Sequence, residues 1–220
     1  MWCPNESFPY DDIKKIGLKN IHVNGIKGYH GVCIATNLKV ENVEKKDFCQ
    51  KLDGRHISLK LKIKKDFFNI HNFYVPAGGD IPDRDENPKF GHKIDFVDEI
   101  RDWFAANPPQ SSVLMGDLNI APLAADVWST RQLRNVVSHT DIEREKLALA
   151  INEGGWVDAV RDFYGAEETL YSWWSYRARD WRASNRGRRL DHIWLSADLK
   201  NMVRDIEIFT QARGYEKPSD

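Results

Sequence analysis

Residues 113–122 read VLMGDLNIAP, a short apolar run that stops at a glycine and then presents a carboxylate and a carboxamide. The spacing predicts a strand ending at Gly116 that delivers Asp117 and Asn119 together at its tip, with Leu118 pointing the other way, because extended residues two apart share a face. Oxygen donors at a strand end can hold a hard metal ion or a phosphate while a rigid sheet fixes their positions. Gly, Asp and Asn also form ordinary turns, so a strand followed by a polar turn is the alternative that the run alone leaves open.

A chain of 220 residues with 41% hydrophobic and 11% aromatic residues can bury a large core, and one globular domain spanning residues 1–220 is expected. No run approaches the roughly 18 apolar residues of a membrane span. The start, MWCPNESFPY, lacks a charged segment followed by an apolar one, which argues against secretion. Cys3, Cys33 and Cys49 are odd in number and lack paired metal spacing, which fits reduced thiols in a cytoplasm. Cys33 lies in an apolar run and is expected in the core.

The net charge of -1 names no polyanionic partner, but the local distribution does. Residues 173–189 read WWSYRARDWRASNRGRR, six arginines among three tryptophans and one tyrosine, with Asp180 as the only acid. Arginine forks suit phosphate oxygens and flat rings suit bases or a sugar, so the mixture reads as a nucleic-acid surface. A solvated loop with cation-π contacts is the plainer account. Lys60 and Lys62 alternate with Leu59, Leu61 and Ile63, which describes a half-buried strand with a lysine-rich outer face.

Strands are expected at 21–23, 31–36, 56–63, 67–75, 191–195 and 203–209, with turns such as Asn24-Gly25 between the early ones. Helical spacing of Ile94, Phe96, Val97, Ile100, Trp103 and Phe104 predicts a helix over 92–105, ended by Pro108-Pro109. A second helix is expected over 142–152, with Asp141 as its N-cap. The loop from 76 to 91 is long for a connector, rich in Gly, Pro and Asp, and is expected to border a functional site.

Three further clusters carry chemistry. In HNFYVPAGG, Asn72 and Tyr74 sit near the end of a strand that opens into the long loop, and the tyrosine can donate to a phosphate oxygen or serve as a core aromatic. In NRGRRLDHIWLS, Asp191 begins an apolar strand, where it could orient an imidazole or pair with Arg189. The third is EKPSD, residues 216–220, which ends on a carboxylate and can equally be a frayed polar tail.

Taken in order along the chain, GYHGVCIAT, NFYVPAGG, MGDLNIAP, WVDAVR, YSWWSYR, NRGRRLDHIWLS and EKPSD resemble the exodeoxyribonuclease III family of AP endonucleases, within the endonuclease/exonuclease/phosphatase superfamily. The resemblance implies an α+β fold, a four-layered α/β/β/α sandwich of two packed mixed sheets with the site at one rim. It implies hydrolysis of a DNA phosphodiester, 5′ to an abasic site or at a 3′ end, with magnesium as cofactor and manganese as the alternative. Double-stranded DNA with abasic sites or 3′ ends is the implied partner, acted on by a monomer. By matching motif, Tyr74 contacts the scissile phosphate, Asp117 positions or deprotonates the attacking water, Asn119 stabilises charge on the phosphate, and Asp191 orients a catalytic histidine. Asp117, Asn119 and Asp220 are the implied metal residues. Trp173 and Leu190 match the pocket for a flipped-out abasic sugar, and Asn72, Arg177, Asn185 and Arg186 complete the expected DNA contacts.

The chain also departs from the family pattern. A strand carrying an Asn, then a helix and a strand ending in a metal-binding Glu, precede the CPN-like segment in the family, and its KPSDH motif continues into a closing strand. Here the sequence runs from Met1 to Asp220, and none of its seven histidines occupies that motif. The expectation is therefore a piece of a longer enzyme that lacks the first strands and the closing strand, with most activity lost and sheet edges unpaired. A DNA-binding remnant without catalysis, or a superfamily phosphatase acting on a small phosphoester, are the other classes left open.

Overall fold

The structure is a computed structural model that describes residues 4–27 and 30–216. A short helix α1 (Tyr10–Lys15) precedes β1 (Asn20–Gly25) and β2 (Gly31–Thr36), and next comes a meander of β3 (Lys39–Glu44), β4 (His56–Ile63) and β5 (Asp66–Tyr74). Helix α2 (Pro88–Ala106) crosses over to β6 (Ser112–Asp117), after which come α3 (Thr130–Leu133), α4 (Asp141–Glu153), β7 (Trp156–Asp158) and α5 (Ala159–Tyr164). The arginine-rich segment folds as β8 (Trp173–Trp174), α6 (Trp181–Ser184) and β9 (Gly187–Arg188), and leads into β10 (Asp191–Ser196).

Six of these strands form one sheet in the order β3-β4-β5-β6-β10-β7. β5 and β6 run parallel and the other neighbours antiparallel, so the sheet is mixed. A parallel pair needs a crossover, and α2 with its apolar face supplies it. Phe96, Val97, Ile100 and Phe104 of α2 and Leu147 and Ala150 of α4 bury against Phe73, Leu114 and Trp194 on one face of the sheet. On the opposite face β1 and β2 pack at one end, where Asn72 donates from Nδ2 to the Cys33 carbonyl at 2.9 Å. At the other end Ala159, Leu195 and Leu199 close a second core with Phe68 and Val113.

The α+β class and the packing of sheet on sheet agree with expectation, with a refinement. Among the described residues the second sheet is the antiparallel β1–β2 pair, so only the larger sheet is mixed. Several local expectations are also corrected. No strand forms over 203–209: it has no strand partner among the described residues, and Val203 and Ile206 pack as irregular chain on the Leu195–Leu199 core. Helix α2 starts at Pro88 rather than residue 92, because Asn87 accepts from the Lys89 amide and proline suits a first helical position. Helix α4 is capped by Thr140, not Asp141: the Thr140 and Glu143 side chains exchange hydrogen bonds with each other's backbone amides. Asn24 and Gly25 lie within β1, and Cys33 is half-buried rather than a core residue.

Gly116 adopts φ +142°, and a Cβ there would lie 2.0 Å from the Phe73 carbonyl, so β5 and β6 approach as closely as they do only because the position carries no side chain. Deeper in the interior, a buried ion cluster ties β10 to its surroundings. Arg189 donates to Asp126 at 2.6 Å and to Asp158 at 2.8 Å, and Arg161 also reaches Asp126. Burial pushes the Asp126 carboxyl up, but Arg189 and Arg161 outweigh it and hold the group below the usual range. Replacing Arg189 by Met leaves these carboxylates short of a buried cation and is expected to destabilise the fold by about 3–5 kcal/mol, read from the urea midpoint; an unchanged midpoint refutes the ascribed role.

His56 and His71 lie in the aromatic core, with 3.2 Å between His56 Nε2 and His71 Nδ1. Burial drives His56 well below its ordinary 6.5 and His71 down to about 4. His192, which faces Arg189 and the Ile120 carbonyl, is likewise pushed down to about 4 by burial and Arg189. Unfolded, these rings take up protons near 6.5, so the unfolded chain binds more protons than the native one between that value and about 4. Stability should be complete above pH 6.5 and fall as the pH drops through this window. A urea midpoint that declines already between about pH 6.5 and 5, above the carboxylate range, is the expected result; a level midpoint there would contradict it.

Candidate active site

Strand register brings three of the expected catalytic residues together. Tyr74 on β5 is the cross-strand partner of Asp117 on β6, and Asp117 is in turn the partner of Asp191 on β10. Paired residues of adjacent strands share a face and sit about 5 Å apart, so the phenol and both carboxylates form one row across the sheet. The row lies on the face that carries Asn72 and β2, at the rim where β5 and β6 end.

Asp117 and Asn119 come together by a turn rather than by extended alternation. β6 stops at Asp117, Leu118 buries, and Asn119 takes the left-handed conformation with φ +55°. Its amide N–H donates to Asp117 Oδ1 at 2.9 Å, while its Nδ2 donates to Asp117 Oδ2 at 3.3 Å and to the Val75 carbonyl at 2.9 Å. Asparagine tolerates this conformation better than most residues, and a short side chain can bond its own neighbourhood. The Asp117 carboxylate is thereby held in one orientation from below.

Behind Tyr74 stands a second charged group. The Arg55 guanidinium lies 5.1 Å from the centre of the Tyr74 ring and donates to the Tyr74 carbonyl at 3.0 Å. Arg55 is itself held by Asp53, which also meets His92 at 3.3 Å. His30 stands edge-on to Tyr74, with ring centres 6.0 Å apart; burial and Arg55 push it down to about 4, so the ring is neutral at physiological pH.

In front of the row opens a cleft of about 1210 Å³. It brings together Asn72, Tyr74, Asp117, Asn119, Trp173, Arg177, Arg186 and Leu190 of the expected set. Ala77, Gly79 and Asp80 of the long 76–91 loop border it as well. Asn185 does not line the cleft: it closes α6 in the left-handed conformation and accepts from the Trp174 indole at 3.0 Å. Asp191 lies one strand behind the lining, in the row with Asp117, and the expected pairing with Arg189 is replaced by Asp126 and Asp158. Asp220 lies outside the described residues.

Within the aromatic and basic segment the work is divided. Trp174 packs against Trp181 with ring centres 5.1 Å apart, and Arg189 serves the buried ion cluster. Trp173, Tyr176, Arg177 and Arg186 face the cleft. Two lining residues had no sequence signal of their own: Trp128, over which Arg186 stacks at 4.6 Å, and Ser138, whose Oγ accepts from Arg188 of the arginine-rich segment at 2.6 Å.

The donors in the row suit a hard divalent cation, since carboxylate and carboxamide oxygens are the ligands such ions prefer. Asn119 spends its backbone N–H and its side-chain amide on protein acceptors, which leaves Oδ1 as the atom it could offer to a cation. Among the described residues no three His, Cys, Asp or Glu side chains converge closely enough to hold a metal by themselves. No helix among them is long and apolar enough to cross a membrane.

The profile of the Endonuclease/Exonuclease/phosphatase family matches residues 2–220. Exodeoxyribonuclease III of Haemophilus influenzae is 26% identical over 230 residues, covering 98% of this chain and 82% of that protein. The exodeoxyribonuclease of Bacillus subtilis is 38% identical over 104 residues, 47% of this chain and 40% of that protein. An AP endonuclease structure from Archaeoglobus fulgidus superposes with a TM-score of 0.88 at 27% identity, over 100% of this chain and 82% of that one. With a family match along nearly its whole length and a rim that gathers the motif residues, the chain belongs to the Endonuclease/Exonuclease/phosphatase family, with exodeoxyribonuclease III and AP endonucleases among its relatives.

Proposed function

We propose that this protein is a divalent-cation-dependent DNA phosphodiester hydrolase that incises beside abasic sites and trims 3′ ends, using magnesium or, as the alternative, manganese. The observation that carries the reading is the row Tyr74, Asp117 and Asp191, of which Tyr74 and Asp117 line a cleft walled by Trp173, Leu190, Arg177 and Arg186. At about 1210 Å³ the cleft exceeds the 300–1,000 Å³ of ordinary small-molecule sites, which favours a polymeric substrate. A tryptophan and a leucine beside arginines suit a sugar turned out of the duplex next to its flanking phosphates, and extrusion costs least where a base is already missing.

In this reading Tyr74 donates to the scissile phosphate and Asp117, held by Asn119, takes the proton of the attacking water. The water oxygen forms the new bond to phosphorus and the 3′ oxygen leaves with its electron pair. Asn119 steadies the charge that develops on the phosphate, and Asp191 orients an imidazole. Asp117, Asn119 and Asp220 are the residues that would hold the cation. A bound divalent cation would supply the charge neutralisation that attack on a phosphodiester requires. A monomer in the cytoplasm completes the proposal, supported by the free thiols of Cys33 and Cys49.

The test is incision of a duplex carrying one abasic analogue by the protein isolated from its source. A chelator should abolish turnover and magnesium restore it. Asp117→Asn should lower kcat by about 10²- to 10⁴-fold without loss of fold. Undiminished cleavage in chelator, or a preference for small phosphoesters over the abasic duplex in competition, would sink the reading.

A further inference from the structure

Beneath the cleft lies an ion pair with no part in the proposed chemistry. Lys93, on the buried face of α2, and Glu143, at the start of α4, meet at 2.5 Å, and neither side chain has any exposed surface. Burial lowers Lys93 from its ordinary value, and the carboxylate beside it pulls in the opposite direction. A buried pair of this kind is poor evidence for stability in itself, because desolvation offsets much of the attraction. What distinguishes it is where its remaining hydrogen bonds go.

Lys93 Nζ donates to the Asn119 carbonyl at 2.7 Å and to the Ala77 carbonyl at 3.3 Å. Glu143 accepts from the Ser138 amide at 2.9 Å, from the Thr140 amide at 3.0 Å and from Thr140 Oγ1 at 2.7 Å. Asn119 and Ser138 are both non-glycine residues at positive φ, +55° and +92°. Both line the cleft, Asn119 beside Asp117 and Ser138 beneath Arg188. Conformations of this type cost on the order of 1–3 kcal/mol each and persist only where the surroundings over-determine them. One ion pair therefore grips two strained backbone positions of the cleft, and through Ala77 also the loop after Tyr74.

We infer that Lys93 and Glu143 are positioning residues: the buried pair clamps Asn119 and Ser138 in their left-handed conformations and so holds the phosphate end and the arginine wall of the cleft in mutual register. The inference rests on the hydrolase reading for its kinetic arm but not for its structural one. Neither side chain needs to touch substrate for this role. A misplacement of about 1 Å at a reacting centre can lower the rate by roughly 10²-fold.

The experiment compares Lys93→Met, Glu143→Gln and the exposed control Lys89→Met in the intact protein, with kinetics on abasic duplex and amide NMR. Lys93→Met should lower kcat about 100-fold with KM within about threefold, and shift the Asn119, Ala77 and Ser138 amides while leaving those of β3 and β4 in place. Glu143→Gln keeps the size of the side chain and one acceptor oxygen, so it should shift the same Ser138 and Asn119 amides with a smaller loss of kcat than Lys93→Met, while Lys89→Met should move neither kcat nor these amides. Folded Lys93→Met and Glu143→Gln proteins with wild-type kcat and unmoved Asn119 and Ser138 amides overturn the inference. Should Lys93→Met fail to fold, Glu143→Gln decides alone. If the parent protein does not incise abasic DNA, the hydrolase reading fails and the amide shifts still decide whether the clamp exists.

Discussion

The parallel pairing of β5 with β6 is the constraint on which the remainder of the molecule depends. It aligns Tyr74 with Asp117, and the antiparallel addition of β10 sets Asp191 on the other side of the same carboxylate. A shift of one residue in either register would turn the displaced side chain to the opposite face, where the helices pack. The apolar faces of α2 and α4 resist such a slip, since Phe73, Leu114 and Trp194 alternate with the site row along the same three strands. Core packing on one face of the sheet and chemistry on the other are thus specified by one set of hydrogen bonds.

Charge is handled differently inside and outside. Surface pairs such as Lys14 with Asp11 or Lys15 with Asp12 are largely solvated and contribute little. Besides Arg55 with Asp53 behind Tyr74, two buried groups flank the cleft: Asp126 with Arg189, Arg161 and Asp158 on the β10 side, and Lys93 with Glu143 under the turn after β6. Both groups use their spare hydrogen bonds on backbone, at Leu123 in one case and at Asn119 and Ser138 in the other. Loops that would otherwise be mobile connectors around a polar site are thereby fastened to the layers beneath them.

Much of this architecture was legible in the sequence where local pattern and global fold agree. The β4 strand, the α2 helix and the strand through Val113–Gly116 all form, with α2 starting four residues earlier and β6 running on to Asp117, because in each the apolar period matches the element that buries it. The turn that folds Asn119 back onto Asp117 was not legible, since it depends on a left-handed residue supported by a lysine 26 positions earlier. The partner of Arg189 was misjudged for a related reason. Adjacency in sequence favoured Asp191, whereas the strand direction sends the guanidinium toward Asp126, 63 residues away. Lys93 and Glu143 carry no signal in the sequence, and only their complete burial reveals them. The stretch over 203–209 carries strand-forming residues, with Ile206 and Ile208 alternating about Glu207, yet it meets no partner strand among the described residues and packs through its side chains instead.

Gly116 gives the site an unusual genetic exposure. Its missing side chain lets the Phe73 carbonyl pass within a distance that no Cβ could tolerate, immediately before the central carboxylate. Under the genetic code, every single-base change in a glycine codon that alters the residue adds at least a Cβ. No missense change at that codon is conservative in the sense that matters here, and alanine, the mildest of them, already collides with backbone rather than with a side chain that could rotate away. A lineage that keeps this sheet register has a single residue available at position 116.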